Sequence, residues 1–273
     1  MPDITKTFPV HGAMNLMARI GHGSLTITAQ DDLTEAKVTL SPRSGASGMV
    51  ARTAVEMRGS TLAVVMPRQG GIFDLPLFGN RGRDHDAVDI TVVIPTKTAV
   101  KISGFTADIT VAGRVGTTDI AFGSSTVHVD TVDGDLRVRF GSGSVRVERV
   151  HGDAVTRSGS GTVHLGDVDG SVVAAFGSGD LTVDRAKGLV RSRSGSGTAS
   201  IGAAYADVDL ASGSGGMTIG LPAGTSAKFD VASGSTGMIE TDMPIENAPT
   251  AKRTPITVRV RTGSGNVRVV RAA

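Results

Sequence analysis

Apolar and polar residues alternate along most of this chain, and the alternation recurs on a fixed spacing. Segments begin at Phe122, Phe140, Ser158, Phe176, Ser194 and Ser212, each 18 residues after the one before. Aligned, they put Val127, Val145, Val163, Leu181, Ala199 and Met217 in one column. Two residues on, a second column holds Val129, Val147, Leu165, Val183, Ile201 and Ile219. Between them stand His128, Arg146, His164, Thr182, Ser200 and Thr218. Apolar, polar, apolar is the period of a half-buried strand. A second strand per repeat is marked by Leu136 with Val138, then Ala154, Val172, Val190, and Val208 with Leu210.

Glycine marks the corners. Gly123, Gly141, Gly159, Gly177, Gly195 and Gly213 are each followed by serine, and a second corner carries Gly134, Gly152, Gly170 and Gly188, often beside aspartate. These are turn residues, glycine for its backbone freedom and Asp or Ser for local hydrogen bonds. Strict equivalence at a fixed period predicts coils that stack in parallel, each strand on its copy about 4.8 Å away. The expected fold is all-β, a single-stranded parallel β-solenoid with 18-residue coils, and the crossover rule makes it right-handed. A hexapeptide helix is excluded because Asp135 and Asp153 fall where its small aliphatics would be.

The ends keep a different rhythm. Residues 1–100 read as an N-terminal β-rich capping region of longer coils, with the strand-like runs SLTITA, EAKVTLS, TLAVVM and VDITVVI and a loop at 67–88. Residues 101–239 are the regular solenoid, and 240–273 a proline-containing loop with closing strands, all in one continuous domain. Composition agrees with a thin interior: no Trp, one Tyr, 8 Phe and 37 Gly, with hydrophobic residues at 39%. The net charge of +2 gives no reason to expect nucleic acid. There is no cysteine, hence no disulfide or thiolate site. The first 20 residues do not read as a signal peptide and no window is apolar enough to span a membrane, so the expected location is cytoplasmic.

Motifs for catalysis are missing: no phosphate-binding loop, dinucleotide fingerprint, zincin helix or serine elbow. No cofactor and no metal are expected. His128 and His164 share a column but stand two coils apart with Arg146 between, too far for one zinc ion. Asp84-His85-Asp86 is a denser cluster in a loop, and Asp133-Gly134-Asp135 invites a calcium reading without the nonapeptide pattern that would carry it. Asp130, Glu148, Gly166 and Asp184 form an outward, mostly acidic column. The loop holds the candidate interaction residues Ile72, Phe73, Leu75, Leu77, Phe78, Arg81 and Arg83, an apolar crowd that either caps the solenoid or meets a partner. Toward the C-terminus Arg259, Arg261 and Arg268 form a candidate basic surface.

The pairing of GSGxVxV with VxGD, as in GSGSVRVERVHGD, resembles the bacterial DUF4097 family of adhesin-like β-strand-repeat proteins. The resemblance implies a β-solenoid without established catalysis and transfers no functional residues. Three functions are weighed in order. The first is a non-enzymatic scaffold or binding protein with a protein or glycan partner. A bactofilin-like filament formed by self-association through the solenoid ends comes second. A carbohydrate-active enzyme using the acidic column is third.

Overall fold

A run of β-branched residues in alternation makes a strand, and a glycine pair lets that strand bend without breaking its ladder. In the computed structural model, which describes residues 3–43, 47–67, 87–234, 237–242 and 255–272, such strands fall into two units, Met1–Asp133 and Gly134–Ala273.

The first unit contains β1 (Ile4–Pro9), β2 (Asn15–Gln30), β3 (Glu35–Pro42), helix α1 (Ser47–Arg52), β4 (Ala54–Arg58), β5 (Thr61–Val65), β6 (Val88–Pro95), β7 (Ala99–Val115) and β8 (Thr118–Val132). The centre of this unit is β2. On one side it pairs in parallel with β7, from Asn15 opposite Ala99 to Thr28 opposite Ala112. On the other, its first half pairs with β5 and its second half with β6, again in parallel. Beyond β7 comes β8, with Val100 opposite Thr118 and Ile109 opposite Val127, the 18-residue step of the repeat. Leu16, Ala18, Ile20, Leu25 and Ile27 of β2 are buried at alternate positions.

The outer edge departs from the parallel rule. β4 lies antiparallel on β5, β3 antiparallel on β6, and β1 antiparallel on β3. These strands belong to reversing connections rather than coils. The chain turns back after β2 at Asp31-Asp32, where Asp32 is left-handed at φ 53°. The short helix α1, which the strand pattern does not predict, bridges β3 and β4 and buries Met49 and Val50. Reversed strands over the last coil cover what would otherwise be an open parallel edge.

The second unit contains β9 (Leu136–Val150), β10 (Ala154–Val168), β11 (Val172–Ala186), β12 (Val190–Ser196), β13 (Ala199–Ala204), β14 (Val208–Ser214), β15 (Met217–Leu221), β16 (Ala227–Ser233), β17 (Ile239–Thr241), β18 (Ile256–Ser264) and β19 (Val267–Arg271). Here the columns stack as the sequence predicts. Val145, Val163, Leu181, Ala199 and Met217 are successive register partners on parallel strands. So are Leu136, Ala154, Val172, Val190 and Val208. Each coil bends at its Gly-Ser-Gly corner and sends a file of side chains inward, as with the buried Leu136, Val138, Phe140, Val145, Val147 and Val150. In the corner column Ser158 lies between Phe140 and Phe176, a small residue between two rings. The second corner glycine is required by close approach. A Cβ on Gly161 would stand 2.5 Å from the Gly143 carbonyl oxygen and 2.6 Å from the Phe140 ring.

The order of coils at the C-terminal end is not the order of the sequence. β14 pairs with β18, and β18 then pairs with β16. On the other wall β15 pairs with β19, which pairs with β17. The last strands of the chain therefore slide between two coils made earlier.

Candidate binding surface

Parallel register places equivalent outward side chains directly over one another, so a sign that alternates between repeats becomes a charge ladder. Arg191, Asp209, Arg259 and Asp230 are successive register partners across β12, β14, β18 and β16. Arg193 and Arg261 lie two residues along and reach into the same carboxylates. The Arg193 guanidinium donates to Asp209 at 2.8 Å, and Arg261 donates to Asp230 at 2.6 Å while Arg259 reaches it at 3.2 Å. Arg193 holds the Asp209 carboxyl below the usual carboxylate range, helped by the charges of Arg191 and Arg259. Asp230 is lowered in the same way, by Arg261 first and then Arg259.

Other outward columns follow the pattern. Arg149, Asp167 and Arg185 are register partners, the carboxylate lying 3.7 Å from the first arginine and 3.6 Å from the second. Beside them Asp169 accepts from Lys187 and from His151 Nδ1, both at 2.7 Å, and these contacts depress its carboxyl, Lys187 most. Arg146 donates to Nδ1 of His164 at 2.7 Å, which leaves His164 Nε2 to donate to Asp184 at 2.9 Å. Exposed pairs of this kind are each worth about 0–1 kcal/mol. Together they fix which surface groups remain available.

One hollow accompanies the ladder. The corner column that holds Phe140 and Phe176 earlier in the unit continues as Ser194, Ser212, Thr262 and Ser233 on consecutive coils. Loss of ring volume there leaves an open groove of about 510 Å³, lined by these hydroxyl residues, Ala211, Ala232 and corner glycines, with Arg193 and Arg261 on its rim. Ser194 donates to Ser212 at 3.0 Å, and Ser212 donates to the Ser214 carbonyl at 3.1 Å. The sequence carries the signal for this groove in its mixed Phe/Ser column.

The Toastrack DUF4097 family matches residues 21–270. The chain belongs to that family. Two solved structures resemble this Toastrack chain over nearly all of both molecules. A candidate adhesin from Parabacteroides merdae ATCC 43184 is 13% identical, covers 98% of this chain and 95% of its own, and gives a TM-score of 0.54. A candidate lipid-binding protein from Parabacteroides distasonis ATCC 8503 is 11% identical, with 98% and 96% covered and the same TM-score of 0.54. At such identity the likeness shows the fold alone. No curated protein matches the chain.

Of the residues singled out by sequence, Arg259, Arg261 and Arg268 lie on β18 and β19 with outward side chains. The first two share Asp230, and Arg268 lies 4.0 Å from Glu240 and 3.8 Å from Asp242. This Toastrack face is thus basic along the chain but ion-paired in space. Ile72, Phe73, Leu75, Leu77, Phe78, Arg81 and Arg83 lie outside the described residues, as do Asp84, His85 and Asp86. Two aspartates at the second corner bond backbone: Asp135 accepts from the Asp153 N–H at 3.0 Å, and Asp153 from the Ser171 N–H at 2.7 Å. Among the described residues no three His, Asp or Glu side chains gather to hold a metal ion, and no helix is long and apolar enough to cross a membrane.

Proposed function

We propose that this Toastrack chain is a non-enzymatic, adhesin-like binding scaffold whose contact surface is the insertion between β5 and β6. One observation carries the reading. In β2 the corner from Arg19 to Gly23 takes the three residues 20–22, while in the coil beside it the same corner, from Val65 to Val88, takes the 22 residues 66–87. That extra length holds Ile72, Phe73, Leu75, Leu77 and Phe78, with Arg81 and Arg83 following. Loops set on a rigid stack are where binding residues concentrate. The charge ladders support the same view, because they pair many outward charges of the second unit with one another, while the insertion sets five large apolar residues within the seven positions 72–78.

The partner fitted by this chemistry is a protein or glycan with an apolar face and some negative charge. Deletion of residues 70–83 tests it. The shortened chain is expected to keep its circular dichroism and melting temperature and to lose the partners that the full chain retains in affinity capture. A well-folded deletion that keeps every partner overturns the proposal.

A further inference from the structure

The second unit ends in the coil formed by β16 and β17. Along β16 one edge pairs with β18, and among the described residues the other edge pairs with no strand. Its inward positions continue the core: Phe229 is opposite Val258, Val231 opposite Val260, and on the other wall Ile239 opposite Val267. Val258, Val260 and Val267 are fully buried, yet Phe229 is 39% exposed and Ile239 52%. The apolar columns run out into solvent beside a free strand edge, the combination that invites another strand.

We infer that this edge docks on the same edge of a second copy, β16 against β16, antiparallel about a two-fold axis through Phe229. Charge names the occupant. The outer face reads Arg191, Asp209, Arg259, Asp230 from strand to strand, positive and negative in turn, and the next position is due a cation. In an antiparallel pair centred on Phe229, the residue opposite Asp230 is Lys228 of the second copy. Symmetry makes that pair twice.

The register is set by the same residues. Directly opposite side chains share a face, so inward must meet inward. Among two-fold registers that satisfy this, moving the axis one residue back sets Lys228 against Lys228. Moving it one residue forward sets Asp230 against Asp230. Only the register on Phe229 gives two opposite-charge pairs, an aromatic pair on the axis and Ala227 against Val231 on the inner face. Such cross-strand pairs stabilise a sheet, and like charges directly opposite destabilise it. The contact uses one patch on both copies, so assembly closes at two and does not grow into a filament.

Sedimentation velocity on the full chain over a concentration series tests the inference. The native chain is expected to pass from monomer to dimer, and Lys228→Asp to weaken the dimer at least about tenfold. Single cysteines are a second measure, since the chain has none of its own. Phe229→Cys should oxidise to a linked dimer, whereas Lys228→Cys, offset from its own copy across the axis, should stay unlinked. A native chain that is monomeric throughout overturns the inference. So do species larger than a dimer, undiminished association in Lys228→Asp, or equal cross-linking by the two cysteine variants.

Discussion

Thr156 faces inward between Val138 and Ala174, and its buried hydroxyl has no hydrogen-bond partner. A buried polar group left unpaired costs about 1–3 kcal/mol. Thr156→Val keeps the shape and removes that cost, so urea unfolding should show a gain of about 1 kcal/mol. The opposite is expected at Gly161, where the new methyl of Gly161→Ala would meet a backbone oxygen and the Phe140 ring at once. Overpacking of this sort costs about 1–3 kcal/mol, read as a lower urea midpoint. Both residues were visible in the repeat, but only their neighbours one coil away show that one is a misfit and the other a requirement.

Between single residues and the whole stack, the governing fact is register. Asp209 and Asp230 sit below the ordinary carboxylate value of 3.8, so the folded chain gives up those protons more readily than the unfolded chain. Their stabilisation is complete above 3.8 and drains away as the pH falls through the lowered values. Thermal melts should therefore be level near neutral pH and fall on acidification below about 4. Asp209→Asn should melt lower at neutral pH, because Arg191 and Arg193 lose their carboxylate, and should show a shallower acid limb. The inner columns were legible because parallel stacking turns a sequence period into direct contact, as between Val145 and Val163. The ladder was not. From Thr250 onward the chain carries no acid, and alternation alone marks Arg259 and Arg261 as basic; the carboxylate that pairs with both is Asp230, well back along the chain. Strand β4 and the antiparallel pairing of β3, itself legible as EAKVTLS, escaped for a related reason, since each pairs with a strand that follows it without any shared spacing.

At the scale of the whole chain, a strand from near each end, β2 and β18, lies inside its own unit. β2 is flanked by β5 and β6 on one side and β7 on the other, and β18 by β14 and β16. Truncation after residue 254 takes away more than an end: Val258, Val260, Val267 and Val269 leave the core, and β14 and β16 each lose a neighbour. Limited proteolysis of the truncated chain should open new cleavage sites between residues 208 and 241 that the full chain protects.

The position of β18 also sets a timetable for synthesis. A ribosome delivers residues 227–241 well before residues 256–271, yet the early segment has its place beside the late one. Until residues 256–271 have emerged, β16 and β17 have no strand to lie on and Leu210 lacks its cover. Closure of that end thus waits on β18 and β19, and a polypeptide stalled or released before them would carry an unfilled slot one coil wide.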